Sequence, residues 1–122
     1  MNVLPNIFPR DPAARRAALR ETLIRREARI GGRLFGTPPE GREREFFCLD
    51  KHTWIWRETW ITAGYRRTVT TRYELQPGGV TKLQDGQGRQ LLSHEEARNL
   101  RHTIQLYRRR VVDYYRRQLQ TA

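Results

Sequence analysis

A single cysteine, Cys48, stands in this 122-residue chain, so no internal disulfide can form and nothing calls for an oxidising compartment. A cytoplasmic location is expected. Lysine is almost as scarce: Lys51 and Lys82 are the only two of the 24 basic residues that are not arginine. No apolar run approaches the ~20 residues of a membrane span. The opening MNVLPNIFPRDP lacks the basic start and the apolar core of roughly 7 to 15 residues that mark a signal peptide. A soluble protein is expected. Catalytic and metal chemistry is thin as well. Cys48, His52, His94 and His102 supply one Cys-x3-His pair and no second pair to complete a zinc pattern. Asp50, Lys51, His52 and Glu58 alternate as solvated strand charges do, and no serine or cysteine has a nucleophile context. Gly78-Gly79 and Gly86-x-Gly88 punctuate hairpins instead of joining a strand to a helix, as a phosphate loop must. Neither an enzyme nor a bound metal or cofactor is expected.

Against these absences stand two concentrations. The 24 basic residues exceed the 13 acidic ones to give a net charge of +11, which points to a polyanionic partner. The three tryptophans, Trp54, Trp56 and Trp60, fall within seven residues, and their even spacing places them on one side of an extended strand. The opposite parity holds Phe47, Leu49, Ile55 and Ile61, so both faces need a partner, a cover or a ligand.

At this length, with 37% apolar residues, one domain with a single core is expected over residues 11 to 122, preceded by a flexible arm over residues 1 to 10. Asp11 followed by Pro12 caps a first helix that stops at Gly31-Gly32. Its apolar residues fall in two strips, Leu19/Leu23/Ile30 and Ala17/Ile24/Ala28, so it is expected to touch two surfaces. Residues 32 to 45 read as a loop. Three or four strands follow, at about 46 to 61, 65 to 76, 79 to 84 and 89 to 92, as an antiparallel meander. Ser93 with Glu96 makes a capping box for a long second helix to about residue 119. Ala97, Leu100, Ile104, Tyr107, Val111 and Tyr114 form its stripe, for a core or another helix. The helix overhangs the short strands, and Val112, Tyr115 and Leu119 offer a homodimer contact there. The expected fold is α+β, in the order α-β-β-β-α.

Nine of the eleven excess charges fall in the two helical segments, +5 over residues 1 to 33 and +4 over residues 93 to 122. In the last helix Arg98, Arg109 and Arg116 project opposite the stripe, flanked by Arg110 and Arg117, with Asp113 four residues from both Arg109 and Arg117. Part of that face is expected to pair internally, and the remainder is free for phosphates.

The turn after the first strand decides the company the tryptophans keep, because one residue of loop length inverts the pairing parity. A two-residue loop sets Trp54, Trp56 and Trp60 beside Tyr65, Val69, Tyr73 and Leu75, as core. A three-residue loop, Thr62-Ala63-Gly64, sets them beside Arg66, Thr68, Thr70 and Arg72. The second is favoured, because Gly64 in third place suits a type I turn with a left-handed bulge residue. Trp54, Trp56, Trp60, Arg66 and Arg72 then make an aromatic and basic platform fit to stack unpaired bases. The alternative is that a helix, a second protomer or another protein covers it.

The segments EFFCLDKHTWIWRETW, TTRYEL, GGVTKLQDGQG and LLSHEEARNL resemble a family of small uncharacterised proteins from ultrasmall, reduced-genome bacteria, over about residues 44 to 115. That resemblance implies no activity. The element order is also similar to the double-stranded-RNA-binding domain, whose last helix begins much like SHEEARNL, although His94-Glu95 replace its lysine pair. The sequence thus leads to a small basic module that binds RNA or DNA without strong sequence preference, or else to a protein-interaction or self-assembling module with the tryptophan face buried.

Overall fold

Short polar and glycine turns fold the middle of the chain into a continuous meander. The computed structural model describes residues 11–121. The elements are α1 (Pro12–Gly32), β1 (Arg42–Asp50), β2 (Thr53–Thr62), β3 (Tyr65–Gln76), β4 (Gly79–Gln84), β5 (Gln90–Leu91) and α2 (His94–Thr121). All five strands form one antiparallel sheet in chain order, so the α+β architecture of a meander flanked by two helices holds. The arm expected over residues 1–10 lies outside the described residues. Among the described residues no helix is long and apolar enough to cross a membrane.

Two turns differ from expectation. The apolar run over residues 46 to 61 is not one strand but a hairpin, β1 and β2, and β1 starts as early as Arg42. Asp50 Oδ1 accepts the backbone N–H of His52 at 2.8 Å, and this side-chain turn reverses the chain without glycine or proline. The same hydrogen bond holds the Asp50 carboxyl below its ordinary value. Between β2 and β3 the loop is two residues long. Ala63 (φ 52°) and Gly64 (φ 78°) form a type I′ turn, whose twist matches that of the flanking strands. Thr62 therefore pairs with Tyr65, and along the ladder Ile61 opposes Arg66, Ile55 opposes Arg72, Trp54 opposes Tyr73 and Trp60 opposes Arg67. Arg66 and Arg72 accordingly share the isoleucine face, because the odd-to-even register carries them away from the tryptophans.

Both helices start as their caps dictate. Asp11 Oδ2 accepts from the Ala14 N–H at 3.1 Å, and Ser93 Oγ accepts from the Glu96 N–H at 3.2 Å. Helix α2 crosses one end of the tryptophan face, where Leu100, Ile104 and Tyr107 pack with Phe46, Trp54 and Val80. Its stripe then continues onto α1. The hydroxyls of Tyr107 and Tyr115 donate to the Glu27 carboxylate at 3.5 and 3.1 Å, and Arg26 lies 5.9 Å from the Tyr114 ring centroid.

Helix α1 runs against the outer strand β1 and touches two surfaces, but not through two apolar strips: Ala28 packs on Phe47 and Ile55 and Glu27 reaches α2, while Ala17, Leu19 and Ile24 stay exposed. Gly31 and Gly32 do more than end the helix. A Cβ on Gly31 would stand 2.2 Å from the Phe46 carbonyl oxygen, and one on Gly32 would stand 1.8 Å from that of Arg44. Only glycine lets the helix lie directly on the strand backbone, and the outer edge of β1 is thereby shielded from pairing with another chain.

Candidate functional site

Reading across the strands, the tryptophan face is a series of side-chain rows. Cys48, Trp54, Tyr73 and Lys82 make one row, and Phe46, Trp56, Thr71 and Gln84 the next. Arg44, Glu58 and Val69 follow, and then Arg42, Trp60 and Arg67. Because α2 covers only the first of these rows and part of the second, the tryptophans differ sharply in exposure. Trp54, at 3% exposure, is enclosed: it stacks on Phe46 with centroids 5.1 Å apart and meets Tyr107 edge-on at 5.2 Å. It belongs to the core and has no face for a ligand. Trp56 and Trp60 are half-buried, at the end of the face that α2 leaves open.

That open end is basic as well as aromatic, but with different arginines from those expected. The Arg42 guanidinium lies 5.6 Å from the Trp60 ring centroid, and Arg67 stands directly across from Trp60 on β3. Glu58 ties the group together: its carboxylate meets Arg44 at 3.5 Å and Arg42 at 3.8 Å, and accepts the Trp56 indole N–H at 3.2 Å. The sequence already carried the signal for Arg42 and Arg44, since their even numbering continues the parity of Phe46. The glycines, prolines and charges of residues 32 to 45 mask it, because they read as a loop up to Glu45.

Carboxylate partners divide the arginines into two groups. From Arg42 to Arg89, six of the seven arginines are ion-paired: Arg42 and Arg44 with Glu58, Arg57 with Glu45, Arg66 with Glu43, and Arg72 and Arg89 with Glu74. In α2 the situation is reversed. Arg98, Arg101, Arg108, Arg109, Arg110, Arg116 and Arg117 are all exposed, and among the described residues none is within ion-pair distance of an acid. The pairing expected of Asp113 with Arg109 and Arg117 does not form. With six arginines against two glutamates in α1 and seven arginines against three acids in α2, the two helices hold +8 of the net +11. Arg98, Arg109 and Arg116 project from the side of α2 opposite its packed stripe, as the spacing requires. They are separated from the tryptophans by the thickness of the helix.

A cleft borders Trp56 on the tryptophan face. It has a volume of about 310 Å³ and lies between the N-terminal half of α2 and the sheet, with Phe35, Phe46, Trp56 and Tyr73 as aromatic walls and Glu96, Asn99 and Thr103 along the helix. Burial raises the Tyr73 hydroxyl above the ordinary tyrosine range, and the nearby Glu96 carboxylate pushes it the same way. Phe35 enters from the α1–β1 connection and was not legible in advance, because nothing local tells which way a loop side chain turns. Among the described residues no three His, Cys, Asp or Glu side chains gather as a metal-binding group. Compared with known proteins, the chain matches no protein family, no curated protein and no solved structure.

Proposed function

We propose that this protein binds nucleic acid, RNA or DNA, through the phosphate backbone, with the α2 arginines as the principal contacts. The observation that carries the reading is the contrast in pairing: six of the seven arginines from Arg42 to Arg89 are spent on glutamates, whereas among the described residues the seven arginines along one helix of 28 residues have no carboxylate partner. Unpaired guanidinium groups spaced over about 29 Å, from Arg98 to Arg117, fit a polyanion, and each phosphate neutralised releases a condensed counterion. The Arg42, Trp60 and Arg67 row adds a smaller aromatic and basic surface, at which bases can stack. A nucleic-acid partner and the lone exposed thiol of Cys48 both suit a reducing, cytoplasmic setting.

A second reading has its own observation: Val112 and Leu119 on α2 are 52% and 79% exposed, surface that a homodimer or another protein would cover. The two are separated by titrating a labelled oligonucleotide at 50 and 200 mM salt beside a mass measurement. For phosphate binding, affinity should fall at least roughly sixtyfold across that range. The triple substitution Arg98→Gln, Arg109→Gln and Arg116→Gln should flatten the log–log slope by about 2 to 3. Binding indifferent to salt, or a slope unchanged in the triple variant, would count decisively against the proposal, and a concentration-dependent mass would favour assembly.

A further inference from the structure

We infer that the cleft between α2 and the sheet receives a single unstacked nucleobase, a reading that rests on the proposed nucleic-acid binding and makes it specific. At about 310 Å³ the space is at the small end of ligand pockets. Phe35 and Trp56 lean at 56° with centroids 6.2 Å apart, so they form an open V and neither ring covers the other. Phe35 is 62% exposed, a large apolar side chain held at the mouth. The Trp56 ring is fixed by its hydrogen bond to Glu58 at 3.2 Å, so a base entering the V meets a preset wall.

The opposite wall is polar. Glu96, Asn99 and Thr103 follow one another at i, i+3 and i+7 on α2, on one side of the helix. The Thr103 hydroxyl donates to the Asn99 carbonyl at 2.9 Å and keeps lone pairs to accept with, and among the described residues the Asn99 amide makes no hydrogen bond. Glu96 can only accept, so the wall favours bases with an exocyclic amino group, cytosine, adenine or guanine, over uracil or thymine.

Charge identifies the rest of the ligand. Arg110 and Arg117 lie seven and fourteen residues beyond Thr103 on that same side of α2, steps of about 10 Å each. A strand whose base sits in the cleft thus has its neighbouring phosphates led onto unpaired guanidinium groups.

The test uses the full chain and labelled ten-nucleotide strands: oligo-dC, oligo-dA, oligo-dT and a phosphodiester of equal length whose sugars carry no bases. Base insertion should quench tryptophan emission and make oligo-dC or oligo-dA bind roughly five- to a hundredfold more tightly than the abasic strand. Phe35→Ala, an exposed site whose loss should leave the circular dichroism and melting point unchanged, should erase that difference while leaving abasic binding intact. Asn99→Ala and Glu96→Gln should narrow the preference over oligo-dT. Equal affinity for abasic and base-bearing strands would overturn the inference and leave phosphate binding standing. Failure of every strand to bind would bring down the nucleic-acid reading itself. Quenching by choline and not by any strand would assign the cleft to an organic cation instead.

Discussion

Ala28, Gly31 and Gly32 show how much a few missing atoms decide. They are the residues of α1 buried against its surroundings, and the two glycines touch main-chain oxygens of β1 that any side chain would overlap. Inside a helix, glycine to alanine normally gains up to ~1 kcal/mol. Here Gly31→Ala should lose about 1 to 3 kcal/mol instead, because the new methyl collides with backbone that cannot rotate aside. Urea denaturation measures this, and a raised midpoint would contradict the close contact. Glu58 illustrates the opposite device, one carboxylate holding two arginines and an indole. By consuming those charges it limits what the sheet can offer a polyanion.

Each element owes its place to a turn or a cap. The Ala63-Gly64 turn places an alanine at φ 52°, a left-handed conformation that costs an L-residue roughly 1 to 2 kcal/mol and that asparagine adopts with less strain. Ala63→Asn should therefore stabilise the protein by about 0.5 to 1 kcal/mol. Thermal unfolding is the check: a lower melting temperature would mean that the turn is not of the I′ kind. Helix α2 uses one stripe twice, first on the sheet through Leu100, Ile104 and Tyr107 and then on α1 through Tyr107 and Tyr115. Its other sides, where the arginines stand, need no packing and stay wet.

At the scale of the whole molecule, the two helices are joined by tyrosine hydroxyls, and this makes stability sensitive to alkali. Burial first, and then Glu27, raise Tyr107 far above the ordinary tyrosine value; the same two influences raise Tyr115, and burial raises Tyr73. A group whose folded pKa is raised binds its proton more tightly folded than unfolded. Its contribution is complete below the unfolded value of about 10 and is lost as pH rises beyond it. Circular dichroism followed beside tyrosinate absorbance should show unfolding above about pH 10, and Tyr107→Phe should make the loss shallower. Ionisation of all five tyrosines near pH 10 with the fold intact would refute the account.

Helix starts at Asp11 and Ser93, the α2 stripe and the excess charge of the helical segments were all legible in the order of residues, because capping, periodicity and composition act within a few residues of one another. The side of the sheet on which each arginine stands was not. Register depends on whether a turn takes two residues or three, and the cost of alanine in a left-handed conformation is repaid by strand twist and by packing Trp54 against Phe46 and Tyr107, partners distant in the chain. Which tryptophan is enclosed and which is open followed from where α2 crosses the sheet, and the cleft at Phe35 from a loop whose direction only its neighbours set. Local chemistry thus gave the chain its elements and its charge, while long-range packing alone chose which arginines keep carboxylate partners and which, among the described residues, stand without one.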